Sequence, residues 1–200
     1  MMEISTELIR QIRERTGAGV MDCKKALMEC DCDLEKAIEL LRKMGIAAAA
    51  KRSSRDASEG LVDGYVHPGG RVGGLVEVNC ETDFVARTEA FSSLVRDIAM
   101  QVVASEPIVV SRDQMPADVI EKEKEILAAQ FADSGKPPQV VEKIVQGKLE
   151  KFYKENCLLE QPFIKDQKRS VEEIIKEAAG KFGENVVVRR FSRFRLGQCS

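Results

Sequence analysis

Apolar side chains recur at helical spacing from the first residues onward. Leu8, Ile9 and Ile12 share one face before Arg13-Glu14-Arg15, and Thr16-Gly17-Ala18-Gly19 breaks the pattern, so a short helix is predicted to end there. A second helix fits Val20–Met28, with Cys23, Ala26, Leu27 and Cys30 on its apolar side. Asp33 is placed to cap a third, whose stripe is Leu34, Ala37, Ile38 and Leu41 and which Gly45 is expected to end. Three short helices with tight turns make a small bundle, a size more often used for docking than for chemistry. The composition then shifts through Ala47-Ala48-Ala49-Ala50 to Lys51-Arg52-Ser53-Ser54, which reads as a helical linker. A boundary is therefore expected near 54, with a docking domain and linker over 1–54 and a core over 55–200.

Past the boundary the period changes from helical to alternating. Gly60–Val66 and Val72–Cys80 are β-rich runs around Pro68-Gly69-Gly70, a hairpin signal. Phe91, Leu94, Val95, Ile98 and Val102 mark a strong helix over Glu89–Ala104, with Thr88 as its cap and Pro107 as its stop. Ile108-Val109-Val110 reads as a short strand. Pro116–Ala132 and Gln139–Asn156 read as two helices joined through Asp133-Ser134-Gly135-Lys136-Pro137-Pro138, a helical hairpin at about 116–156. A last helix opens with the capping box Ser170-Val171-Glu172-Glu173, runs to Phe182 and stops at Gly183, before a β-run from Val186 to Phe191. Strands at both ends of the core are expected to meet in one small antiparallel sheet. The fold class is α+β: a three-helix bundle, then a core of packed helices on that sheet.

Composition removes several classes of function. Of 200 residues, 44% are hydrophobic and 32% charged, and no apolar run approaches the ~18–20 residues of a membrane span. Glu3 stands where a secretory signal would carry lysine, so a cytoplasmic location is expected. A formal net charge of −2 gives no general pull on a polyanion, which makes a nucleic-acid partner unfavoured. The single histidine, His67, lies in the hairpin turn and reads as a solvated side chain. Cys23, Cys30, Cys32, Cys80, Cys157 and Cys199 are scattered and read as reduced thiols, and Cys30-Asp31-Cys32 lacks zinc-ligand spacing. No metal site and no cofactor are expected. Gly135-Lys136, Gly147-Lys148 and Gly180-Lys181 all lack the rest of a phosphate-binding loop, so no direct nucleotide binding is expected.

Catalytic constellations are also missing: there is no G-x-S-x-G and no H-E-x-x-H, and Cys80 has no imidazole but His67 to activate it. The chain is expected not to be an enzyme. Arg189, Arg190, Arg193 and Arg195 interleave with Phe191 and Phe194 in the one stretch resembling an RNA-contact strand, though arginines guarding a sheet edge or pairing with acids explain it better. Asn79-Cys80-Glu81-Thr82-Asp83-Phe84-Val85-Ala86-Arg87 is unusual because it sets an acid beside a large aromatic at a strand-to-helix turn. On physical grounds alone Phe84 reads as a plug in the core, with Asp83 as a local cap.

Two stretches carry a family resemblance. Thr16–Leu27 resembles the N-terminal signature of the elongation factor Ts family, and Glu77–Ala86 resembles its second signature. Val188-Arg189-Arg190-Phe191 with Phe194 is similar to its C-terminal strand. The chain resembles the short form of the family, without much of the duplicated core or the long coiled coil. The resemblance implies a ubiquitin-associated-like bundle and a guanine nucleotide exchange factor that binds elongation factor Tu carrying GDP. It implies docking on the partner's GTPase domain through Arg13, Thr16, Gly17, Ala18, Gly19, Met21, Asp22, Lys24 and Lys25. It further implies that Thr82, Asp83, Phe84 and Val85 intrude near the partner's Mg²⁺ site, which turns the expectation for Phe84 from plug to exposed wedge. A core short of its duplicated half is expected to pair with a second copy, as a homodimer.

Overall fold

The computed structural model describes residues 4–131 and 137–198; Asp133–Lys136, expected in the hairpin loop, and Cys199 lie outside the described residues. Among the described residues the chain forms eight helices and five strands, an α+β fold. It divides into two compact units that are discontinuous along the chain. One holds the stretch up to Leu61, Asn79–Phe91 and Glu173–Val187; the other holds Val62–Val78, Ser92–Glu172 and the stretch from Val188. The boundary expected near 54 is a linear division, and these units leave it an expectation.

The first unit begins with the expected bundle: α1 (Thr6–Thr16), α2 (Val20–Glu29) and α3 (Leu34–Arg52). The Ser5 hydroxyl caps α1 by accepting from the Leu8 amide at 3.2 Å, and Asp33 caps α3 by accepting from the Lys36 amide at 3.1 Å. Gly17 ends α1 at φ 70, a left-handed conformation that glycine adopts without strain, and its amide donates to the Arg13 carbonyl at 2.7 Å. Ile12, Cys23, Ala26, Leu27, Ala37 and Leu41 are buried in the bundle's core. Asp31 and Cys32 both take positive φ in the turn into α3, so the Cys30-Asp31-Cys32 run serves a chain reversal.

Gly45 does not end α3, contrary to the sequence expectation; the helix continues to Arg52. A Cβ at Gly45 would meet nothing, and the steric demand falls on the residue that faces it. In the same unit α8 (Val171–Phe182) brings Gly180 against it, and a Cβ on Gly180 would lie 3.2 Å from the Gly45 Cα. Beside this crossing Arg42 approaches Glu177 at 4.0 Å, and Lys181 pairs with Glu177 at 3.1 Å. Gly183 stops α8 at φ 72 as expected.

The main sheet has the order β1 (Glu59–Val66), β2 (Val72–Cys80), β5 (Val187–Arg195). Leu196 donates to Arg71 at one end of the β2–β5 pair and Arg190 meets Glu77 further along, so numbering falls on one strand as it rises on the other: the pair is antiparallel. The expected meeting of the first and last core strands is thus observed. Helix α4 (Asp83–Ala86) follows β2, and α5 (Glu89–Ser105) presents Phe91, Val95, Ile98 and Val102 inward, with the Thr88 hydroxyl accepting from the Phe91 amide at 3.2 Å.

In the second unit, α6 (Ala117–Phe131) and α7 (Pro138–Asn156) are the helical hairpin. Ile108–Val110 is not a strand; it makes a single parallel bridge, Val109 with Cys157. The segment is tied to the end of α7: the Ile108 amide donates to the Asn156 carbonyl at 2.9 Å, and the Leu158 and Leu159 amides donate to the Val109 and Val110 carbonyls at 2.9 and 3.0 Å, before a tight 3₁₀ turn over Leu158–Glu160 ends the pairing. A two-stranded ribbon, β3 (Pro162–Phe163) with β4 (Asp166–Ser170), is antiparallel and was not anticipated. Gln101, wholly buried, ties this region together: its amide donates to the Gln161 Oε1 at 3.2 Å and its Oε1 accepts from the Ile164 amide at 2.8 Å. No helix of the described residues is long and apolar enough to cross a membrane.

Candidate partner-binding site

At the end of β2 the chain turns sharply outward. Cys80 is fully buried and its thiol donates to the Thr82 carbonyl at 3.2 Å, while Ala86, six residues on, is buried again. Between these anchors the Thr82 hydroxyl accepts, at 3.5 Å, from the Val85 amide, and the Ala86 and Arg87 amides close one helical turn onto Thr82 and Asp83. Asp83 is held by Arg87 at 2.9 Å. Phe84, next to it, is 82% exposed. The plug reading of Phe84 is therefore wrong: the turn's core positions are filled by Cys80 and Ala86, and helical geometry carries residue 84 to the opposite side. The four residues expected at this site are brought together on one turn.

The turn is fastened from the segment after α8. Glu184 Oε2 accepts from the Glu81 and Thr82 amides, each at 3.0 Å, and its Oε1 accepts from the Thr82 hydroxyl at 2.6 Å. Glu81 returns the contact, accepting from the Asn185 amide at 2.6 Å. The Asn185 side chain, buried, donates to the carbonyls of Arg55 at 2.8 Å and Ser53 at 3.4 Å. Sequence reasoning missed Glu184 and Asn185. Their linear signal is faint, a polar pair between a helix stop and a β-run, and nothing along the chain couples them to positions a hundred residues away.

The N-terminal signature divides into two roles. Thr16 donates to the Ile12 carbonyl at 2.7 Å and accepts from the Ala18 amide at 3.3 Å, and the Cys23 amide donates to Gly19 at 2.9 Å, so Thr16–Gly19 shape the α1–α2 corner. Arg13, Asp22, Lys24 and Lys25 are exposed, and Met21 is 67% exposed. With Val20 and Met28 it makes up the exposed apolar positions of α2, while Cys23, Ala26 and Leu27 of the same helix fill the bundle core.

The whole chain bears out the resemblance. Residues 3–198 match the profile of the family described as Elongation factor TS. Relatives named Elongation factor Ts include those of Moorella thermoacetica, 62% identical over 190 residues (95% of this chain, 94% of the relative), and Desulforamulus reducens, 59% identical over 198 residues (99% and 91%). That of Caldanaerobacter subterraneus is 56% identical over 195 residues, covering 98% of both chains.

The chain belongs to the elongation factor Ts family. It is accordingly a translation elongation factor, of nearly the same length as these relatives. Burial pushes the Cys80 thiol up from its ordinary range, with the Glu184 carboxylate adding to the effect, which disfavours the thiolate. Three of the four C-terminal arginines are engaged with acids: Arg190 with Glu77 at 2.6 Å, Arg195 with Glu106 at 3.4 Å, and Arg193 also with Glu106; Arg189 is exposed. His67 sits at the hairpin end with its Nδ1 3.3 Å from the Tyr65 hydroxyl. Among the described residues no three His, Cys, Asp or Glu side chains are grouped to hold a metal ion.

Proposed function

We propose that this chain is a guanine nucleotide exchange factor for elongation factor Tu, acting in the cytoplasm by binding alone, with no covalent step and no nucleotide or cofactor of its own. The observation that carries this reading is the exposed Phe84 beside Asp83, on a turn whose entry Glu184 fastens. The N-terminal bundle, read as a ubiquitin-associated-like module, docks on the partner's GTPase domain through Met21, Lys24, Lys25 and their neighbours. Docking brings Thr82–Val85 to the partner's Mg²⁺ site, where Phe84 enters an apolar crevice and the Asp83 carboxylate disturbs the ion's surroundings. GDP, held partly through that ion, then leaves.

Burying one Phe side chain yields ~1.5–3 kcal/mol, and each ~1.36 kcal/mol of barrier is tenfold in rate, so Phe84 accounts for about one to two decades of acceleration. Any remainder comes from an interface that fits the nucleotide-free partner better than the loaded one. The coupling is reciprocal: the factor by which this chain lowers GDP affinity is the factor by which GDP lowers its own, so nucleotide rebinding ejects it. Release of a fluorescent GDP analogue from purified elongation factor Tu tests the reading. Acceleration that rises and saturates with this chain is expected, and none at any concentration would refute it.

We also propose that free copies pair as a homodimer through the main sheet. Val66, Leu75, Phe194 and Leu196 are large, exposed, and border one shallow depression on it, a patch that a two-fold contact would cover on both copies at once. Sedimentation at micromolar concentration should give a dimer, reduced to monomer by Phe194→Glu; a wild-type monomer would refute the pairing.

A further inference from the structure

Resting on the exchange reading above, we propose that Glu184 is a positioning residue for exchange: it holds the Thr82 turn in the one form that presents Phe84 and Asp83 outward. Helix α4 has four residues, too few to persist by itself, since the first helical turn fixes several dihedral angles for very few hydrogen bonds. Something outside the helix must fix it. The Glu184 carboxylate accepts both backbone amides entering the turn and the hydroxyl of the cap residue. Because the Thr82 hydroxyl gives its proton to Glu184, its lone pairs are left for the Val85 amide, so one carboxylate sets both the entry of the chain and the orientation of the cap.

Glu184 is itself immobilised. Gly183 turns the chain at φ 72, with its amide on the Ala179 carbonyl at 3.0 Å. The next residue, Asn185, is fixed through its backbone to Glu81 and through its side chain to Ser53 and Arg55. Glu81 and Glu184 thus cross, each accepting from the backbone beside the other. A wedge that is already ordered pays no ordering cost on entering a partner, and for an aromatic on a one-turn helix that cost would otherwise consume much of its binding contribution.

The experiment measures GDP release from purified elongation factor Tu across a range of concentrations of the full chain, so that limiting rate and half-saturating concentration separate. Glu184→Ala should lower the limiting rate about tenfold while half-saturation, set by the N-terminal bundle, moves less than about twofold. Glu184→Gln should recover most of the rate, since its carbonyl still accepts the two amides and its NH₂ donates to the Thr82 hydroxyl. Phe84→Ala/Glu184→Ala should lose clearly less than the product of the two single losses, because Glu184 acts largely through Phe84 and only the share carried by Asp83 is left to lose. A wild-type limiting rate for Glu184→Ala beside a slow Phe84→Ala, or multiplicative losses in the double variant, overturns the positioning role and leaves the exchange reading standing. A wild-type rate for Phe84→Ala overturns the wedge and this inference together. Should Glu184→Ala not fold, Glu184→Asp decides, as it keeps the charge but is too short to span the two amides and the Thr82 hydroxyl: a slowed limiting rate supports positioning and an unchanged one refutes it.

Discussion

Gly180 of α8 faces Gly45 of α3 so closely that a methyl group on Gly180 would stand 3.2 Å from the Gly45 Cα and 3.3 Å from its carbonyl oxygen. The relation is one-sided, for a methyl group on Gly45 would meet nothing within 4 Å. The atoms that crowd Gly180 are backbone, which cannot rotate aside as a side-chain end would.

Two glycine-to-alanine changes a few ångströms apart should therefore have opposite signs. Gly45→Ala, in the middle of a helix and in open space, should stabilise by up to ~1 kcal/mol through helix propensity. Gly180→Ala gains the same propensity but forces α3 and α8 apart, an overpacking cost of ~1–3 kcal/mol, so it should destabilise by about 1 kcal/mol net. Urea midpoints read both, and a stabilising Gly180→Ala would mean the helices yield freely.

Gly45 also shows where linear reading stops. A glycine after an amphipathic stripe looks like a helix stop, and Gly17 and Gly183 are stops with left-handed backbones, whereas α3 runs on through Gly45 to Arg52. The bundle, the hairpin, α5 and the end strands were legible because each rests on periodicity within about twenty residues. The β3–β4 ribbon was not, since Asp166–Ser170 is polar throughout and gives no alternation. Phe84 is the sharper lesson. Physical priors set it in the core, family resemblance turned it outward, and it is exposed because Cys80 and Ala86 fill the inward positions of its turn. Glu184 had no local signal at all.

Exposure makes Phe84→Ala a clean probe. Its own unfolding midpoint should move by no more than ~0.5 kcal/mol equivalent, against ~3–5 for a buried Phe. Partner-dependent GDP release should slow by about one to two decades. A strongly destabilised variant would place the ring in the core after all, and a thermal melt alongside the kinetic trace distinguishes the outcomes.

Docking should separate from wedging. Met21 projects from α2 while Cys23, Ala26 and Leu27 on the same helix fill the bundle core. Met21→Ala should leave the melt unchanged and raise the half-saturating concentration in exchange about tenfold, with the limiting rate nearly intact, as befits loss of ~1–2 kcal/mol of uniform binding. Lys24→Glu should act in the same direction and more strongly at low salt. A fall in limiting rate without a change in half-saturation would move Met21 out of the docking surface.

The stability of the fold should carry a mark of Cys157 at alkaline pH. Cys157 is fully buried after α7, and burial, reinforced by the Glu160 carboxylate and opposed by Arg112, pushes its thiol up from 9.0 to about 11. A folded-state value above the unfolded one means that the folded chain holds the proton more tightly. The contribution is complete below pH 9 and is lost between pH 9 and about 11, where the unfolded thiol ionises and the folded one does not. Within that window one proton separates the states, so stability should fall by up to ~1.4 kcal/mol per pH unit from this group alone. Any other group that ionises in this window is common to wild type and Cys157→Ala and cancels in their comparison. That variant should be less stable below pH 9 because of the cavity, and the gap to wild type should narrow steadily as pH rises. Urea unfolding of both chains at closely spaced pH values measures the gap, and curves that stay parallel to pH 11 would show that Cys157 ionises as readily inside the fold as outside it.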